Sequence, residues 1–207
     1  MPSPKGTFLV CPGGAYHFLA LGGEGLYVAD FLNAQGYDAA VLEYTHGGGN
    51  AVPENEVRAK ALQDALAAVS LLKQSAEKLN LHTAKLGMAG FSAGGHLTAR
   101  TVHELGAASA FSKVILIYPA YLNGPRGLND DVLPPAGIKT QLFVSIGDKD
   151  GPAWITSSKA YADAAKANGQ DAEYHLLPGI KHGFGVKPGD PATTAAFQQI
   201  LAAFLAK

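Results

Sequence analysis

Ser92 sits in Gly90-Phe91-Ser92-Ala93-Gly94-Gly95, a serine with a glycine two residues away on either side. A serine hydroxyl becomes a nucleophile only when a neighbouring base takes its proton and an acid holds that base in the right tautomer. The G-x-S-x-G pattern serves this chemistry where a strand turns sharply into a helix, because the turn strains the serine backbone and pushes Oγ outward. Glycines are needed in such a turn wherever a Cβ would strike the adjoining strand or helix. Residues 85–90 (KLGMAG) read as the strand and the run from Ala93 (AGGHLTARTVHEL) as the helix, so the context is the required one. Without partners, the same residues describe a glycine-rich turn carrying a passive serine.

The partners follow in the order Ser…Asp…His. Ser145-Ile146-Gly147-Asp148-Lys149-Asp150 places two aspartates just past the end of a strand. Asp150 is favoured as the acid, because Asp148 follows the strand-ending Gly147 so closely that its carboxylate suits bonding back to loop amides. His182, in Pro178-Gly179-Ile180-Lys181-His182-Gly183-Phe184-Gly185, lies on a glycine-punctuated loop after the last strand and is the expected base. His17, His46, His82, His96, His103 and His175 lack that combination of place and order. His96 is expected to pack against neighbours, while His17 and His46 lie on loops at the site side of the sheet and are candidate substrate contacts. An acyl-transfer intermediate also needs backbone N–H groups aimed at its oxyanion, with side-chain bulk absent. Cys11-Pro12-Gly13-Gly14-Ala15-Tyr16 follows the first strand directly and supplies such a loop. Gly14 is the leading donor, Gly13 and Ala15 stand next to it, and the Ala93 N–H supplies the second donor. Tyr16, Tyr121 and Trp154 are candidate substrate-lining residues, with a packing role as the alternative for the indole.

These side chains can meet only if strands and helices alternate. Residues 6–10 (GTFLV) and 38–44 (DAAVLEY) are short apolar runs bounded by glycine, the pattern of strands covered on both faces. Helices are expected over residues 25–35, closed by Gly36, and over residues 58–79, where Leu62, Ala65, Leu66, Val69, Leu72, Ala76 and Leu79 recur at three- and four-residue intervals. Further strands are expected at 113–118, 140–146 and 172–177, and a helix at 157–168. Asp190-Pro191 reads as the cap of a final helix with Phe197, Ile200, Leu201, Phe204 and Leu205 on its apolar face. The alternation predicts an α/β fold in one domain, residues 1–207: a doubly wound, mostly parallel sheet flanked by helices, with its site beyond the carboxyl ends of the strands. Two irregular stretches, 45–55 and 119–137, fall on the site side, and the second is long enough for a binding loop or lid.

Composition narrows the class of function. The chain of 207 residues carries 16 basic and 17 acidic side chains, with no basic run, so a nucleic-acid partner is not expected. No apolar stretch approaches the roughly 18 residues of a membrane span, so no membrane partner is expected. The single cysteine, Cys11, excludes an internal disulfide and fits a cytoplasmic location, with export after removal of a signal peptide as the alternative. Its expected role is a small buried apolar side chain.

Taken together, these residues resemble the alpha/beta-hydrolase fold, and within it small bacterial esterases of the acetyl esterase and acetylxylan esterase group. The resemblance runs over nearly the whole chain. It is carried by Pro12–Tyr16, with Ala15 where that group has a third glycine, by Glu24-Gly25, by Tyr44 at a strand end, by Gly90–His96 and by His182–Phe184. It also favours Asp150 over Asp148, with Ile146 standing where a histidine is common in the group. The resemblance implies a serine hydrolase acting on short-chain, acetyl-type esters of small molecules, acetylated carbohydrates among them, with no metal or cofactor. The same motifs also resemble prolyl-peptidase-like and acyl-peptide hydrolases, the alternative activity, and a binding protein with a decayed site is the non-enzymatic reading. The antiparallel edge hairpin of larger relatives is expected to be missing.

Overall fold

The computed structural model describes residues 4–48, 53–109, 111–125, 127–186 and 193–207. Six strands form its main sheet: β1 (Thr7–Cys11), β2 (Asp38–Val41), β3 (Leu86–Phe91), β4 (Lys113–Ile117), β7 (Gln141–Gly147) and β8 (Asp171–Leu177). Their order is β2-β1-β3-β4-β7-β8, and every neighbouring pair runs parallel. The expectation of a mostly parallel sheet is therefore met by one that is wholly parallel among the described residues. Two further strands of two residues each, β5 (Asn123–Gly124) and β6 (Gly127–Leu128), form a small antiparallel hairpin inside the 119–137 stretch, where no strand was expected.

Alternate residues of each strand face opposite sides, and this splits the core in two. Leu9 and Cys11 of β1 join Met88, Leu116 and Val144 on one face, beneath α2 (Glu54–Gln74), α4 (Ala93–Leu105) and α5 (Pro152–Ala167). Phe8 and Val10 join Ala89, Phe91, Ile117 and Phe143 on the other, covered by α1 (Tyr27–Ala34) and α6 (Thr193–Ala206). Strands β1, β3 and β4 are buried at every position, which explains why they read as unbroken apolar runs rather than as alternations.

Several helix boundaries differ from the sequence reading. The segment expected as one helix over 25–35 opens with a π-helical turn, Leu21–Leu26, before α1. The long helix begins at Glu54, after Pro53, and stops at Gln74; a separate short α3 (Ala76–Leu79) follows and ends at Asn80 in the left-handed conformation. Apolar spacing continues across that break, so periodicity alone joined the two. Helix α5 starts at Pro152 rather than near 157, with the proline in its first turn, where its missing N–H costs nothing. The Asp190-Pro191 cap lies outside the described residues.

Candidate active site

Strand β3 ends at Phe91, α4 begins at Ala93, and Ser92 between them holds φ 51° and ψ −116°, a conformation sparsely populated for any residue with a Cβ. The surroundings enforce it. The Ser92 N–H donates to the Ile117 carbonyl (3.0 Å), and the Ser92 carbonyl accepts from the N–H groups of His96 and Ala120, each at 3.1 Å. The flanking glycines are required by space: a Cβ on Gly90 would lie 2.2 Å from the Gly94 carbonyl oxygen, and one on Gly94 would lie 2.0 Å from that of Cys11.

Two chain segments bring the partners to this corner. Beyond β7, Asp150 is buried, its carboxylate side chain only 1 % exposed. Its Oδ1 accepts the Gly151 N–H at 2.7 Å, which leaves Oδ2 facing Nδ1 of His182 at 2.8 Å. An ionised carboxylate only accepts, so Nδ1 carries the imidazole proton and Nε2 is left to accept from the Ser92 hydroxyl, 2.8 Å away. Asp148, two residues earlier, points elsewhere: its Oδ1 accepts the Gly179 N–H at 2.7 Å. The imidazole packs against the rings of Tyr118 and Trp154, with centroids 4.8 and 4.9 Å away. The Tyr118 phenol is pushed well above its ordinary pKa, first by burial and then by the Glu24 carboxylate, so it is a neutral hydrogen-bonding group.

The loop after β1 divides its amides. Gly13 is buried and its N–H donates to Oε2 of Glu24 at 2.7 Å, so it faces away from any oxyanion and is removed from the expected donors. The Gly14 N–H, like that of Ala93 at the first position of α4, has no partner among the described residues. Ala93 lacks one because the first amides of a helix have no carbonyl within the helix to reach. Gly14 holds φ 131°, open only to glycine, while Ala15 and Tyr16 follow at 54° and 62°. Tyr16 was expected to line a substrate pocket. Instead it lies in the interior, 1 % exposed, with its hydroxyl 2.8 Å from Nδ1 of His96 and its ring edge-on to Tyr44. Burial, reinforced by Arg58 and Arg100, lowers the His96 pKa from its usual 6.5 to about 3, so that ring is neutral and structural, as expected.

Trp154 stands beside the His182 imidazole, and Tyr121 lies beyond it, 6.2 Å from the indole between ring centroids and 5.8 Å from the His96 ring; both are partly accessible. The guanidinium of Arg58 lies 4.3 Å over the Tyr121 ring. His46 and His17 are exposed, joined by the His46 ring and the His17 carbonyl. A groove of about 920 Å³ lined by Leu19, Leu42, Tyr44, Asp64 and Leu71 runs between the segment that follows β2 and α2 and includes none of Ser92, Asp150 and His182. Among the described residues no three His, Cys, Asp or Glu side chains gather as metal ligands, and no helix is long and apolar enough to cross a membrane. Glu24 and Tyr118, which hold the Gly13 amide and the His182 ring, were not singled out as site residues from the sequence. The Glu-Gly pair at 24–25 was the one available signal.

A sequence profile described as alpha/beta hydrolase fold matches residues 50–131. The acetyl ester-xyloside bifunctional hydrolase from Caldicellulosiruptor lactoaceticus superposes over the whole chain and 84% of its own, with a TM-score of 0.79 at 22% identity. The fold is that of the alpha/beta hydrolases. A thermophilic esterase from Thermogutta terrifontis, solved with propionate bound, shares this hydrolase fold at a TM-score of 0.80 and 22% identity, over 99% of this chain and 84% of the other. In sequence, the chain is 27% identical to the acetylxylan esterase of Xylanibacter ruminicola over 216 aligned positions, covering 88% of the chain but 42% of that enzyme. The chain thus spans less than half the length of this curated relative.

Proposed function

We propose that the protein hydrolyses short-chain carboxylic esters, acetyl esters in particular, through an acyl-enzyme on Ser92. The observation that carries the reading is the continuous relay from the Asp150 carboxylate through His182 to the Ser92 hydroxyl, 2.8 Å at each step, on a strained strand-to-helix turn. His182 Nε2 takes the hydroxyl proton as Oγ attacks the ester carbonyl, and Asp150 stabilises the imidazolium that forms. The N–H groups of Gly14 and Ala93, left open at the adjoining loop and helix start, receive the oxyanion. The imidazolium returns its proton to the leaving alkoxide, and a water activated by the same base then cleaves the acyl-enzyme. Trp154, beside the imidazole, and Tyr121, next to the indole, form the wall against which the substrate lies. Acetylated carbohydrates are the favoured natural esters, since one relative is named an acetylxylan esterase and another an acetyl ester-xyloside bifunctional hydrolase.

The test is hydrolysis of p-nitrophenyl acetate, butyrate and octanoate beside an aminoacyl anilide, with a fluorophosphonate label read by intact mass. Rapid acetate hydrolysis, slower octanoate hydrolysis and a single adduct on Ser92 are expected. Cleavage of the anilide alone would replace the reading with a peptidase, and no adduct would remove it. Comparing kcat/KM on acetylated xylose with the simple aryl ester decides the alcohol half.

A further inference from the structure

We propose that Glu24 is a positioning residue of this site, whose carboxylate holds the oxyanion loop and, through Tyr118, the imidazole of His182; the inference rests on the hydrolase reading above. Glu24 sits in the π-helical turn Leu21–Leu26, outside the sheet, and each carboxylate oxygen takes a donor from a different segment. Oε2 accepts the Gly13 N–H at 2.7 Å, and Oε1 accepts the Tyr118 hydroxyl at 2.9 Å. The Tyr118 oxygen in turn accepts the Gly185 N–H at 3.0 Å, on the loop that carries His182. The Tyr118 ring packs against the His182 ring at 4.8 Å and against Phe184 at 4.5 Å. One carboxylate therefore ties together the loop after β1, the end of β4 and the histidine loop.

The tie is close to the reacting atoms at both ends. Gly13 is wedged so tightly between Glu24 and the nucleophile that a Cβ there would lie 2.5 Å from Oε2 and 2.8 Å from the Ser92 Cβ. With the Gly13 N–H turned onto Glu24, the next amide, Gly14, is left for the oxyanion. At the other end, Tyr118 is fully buried, so a hydroxyl deprived of its Glu24 acceptor has no water to turn to, and the ring against the imidazole is displaced as the hydroxyl seeks another partner. The chemistry of the tie is directional. The Gly13 amide donates, and the Tyr118 hydroxyl, already accepting from Gly185, donates as well. Only a group with two acceptor oxygens satisfies both. A glutamine at this position presents an NH2 to one of the two donors and breaks that link while keeping shape and volume.

Glu24→Gln is expected to lower kcat on p-nitrophenyl acetate by about tenfold to a hundredfold with KM within twofold, the loss that follows when a reacting group is displaced by a fraction of an ångström. Tyr118→Phe, which deletes the hydroxyl alone, is expected to lower kcat at least fivefold. The double variant should be no slower than the slower single variant, because the two act through one chain of bonds. A kcat within twofold of the parent in Glu24→Gln, a loss confined to KM, or multiplicative losses in the double variant would overturn the proposal. Where Glu24→Gln does not fold, Tyr118→Phe decides alone, an unchanged kcat refuting the tie. A parent protein without ester hydrolysis removes the hydrolase reading itself, whereas an active parent with an indifferent Glu24→Gln removes only the role of Glu24.

Discussion

The two ends of the sheet are built under different rules. At the carboxyl ends of β1, β3 and β4 stand Ala15, Tyr16, Ser92, Tyr118 and Tyr121, all non-glycine residues with positive φ; Asn80, at a helix end, is the remaining described residue of that kind. At the amino ends, Lys113 and Gln141 open their strands without positive φ, and the Lys113 ammonium donates to the Gln141 side chain and the Phe204 carbonyl. Each positive-φ residue costs about 1–3 kcal/mol and persists only where its surroundings leave no alternative. The concentration of that cost on one rim marks the rim as the working end, independently of any motif.

The comparison predicts a hierarchy of variants. Ser92→Ala and His182→Ala should each lower esterase turnover by about four to six orders of magnitude. Ser92→Gly should be as inactive as Ser92→Ala yet melt about 2–4 °C higher, since glycine relieves the strained dihedral at a gain of about 1 kcal/mol; equal melting temperatures would show the rim is not strained there. Asp150→Asn should cost about three to four orders of magnitude, because the amide disturbs the imidazole tautomer. Asp148→Asn should stay within threefold, because its oxygen still accepts the Gly179 amide, and a matching loss would break the distinction between the two aspartates.

The pH dependence of stability supplies the next effect. His96 titrates at about 3 in the fold against 6.5 when exposed, so between those values the unfolded chain binds the proton that the folded chain refuses. Its contribution is complete above pH 6.5 and is lost as pH falls toward 3, with a slope of up to about 1.4 kcal/mol per pH unit. His96→Gln should flatten the melting-temperature profile across that window while leaving the profile above pH 7 unchanged in shape. The smallest effect is expected from Ala15→Gly, a rise of about 2–4 °C in melting temperature with kcat unchanged, because position 15 holds φ 54° and glycine fits it without strain.

Much of this was legible because each motif carries its own local context. Ser92, Asp150 and His182 each follow a strand that reads as a strand, so their meeting point was implied by topology, and Asp148 could be set aside from its nearness to Gly147. What depended on distant partners was not legible. Gly13 stood close behind Gly14 as a donor until Glu24, eleven residues away, was seen to take its amide. Tyr16 looked like a pocket residue until its hydroxyl was found against His96, 80 residues on. The break after Gln74 was hidden for a different reason: apolar spacing is indifferent to a single non-helical residue, and Ser75 gives no strong stop signal.

Cys11 has a practical consequence. It ends β1, which is flanked on both sides by strands, and it is wholly buried, with desolvation pushing its thiol up to about 12. Alkylating reagents meet neither a thiolate nor an opening in the native protein. The rate at which iodoacetamide consumes this lone thiol therefore counts the moments when β1 parts from its neighbours, giving the protein an internal clock for its own unfolding.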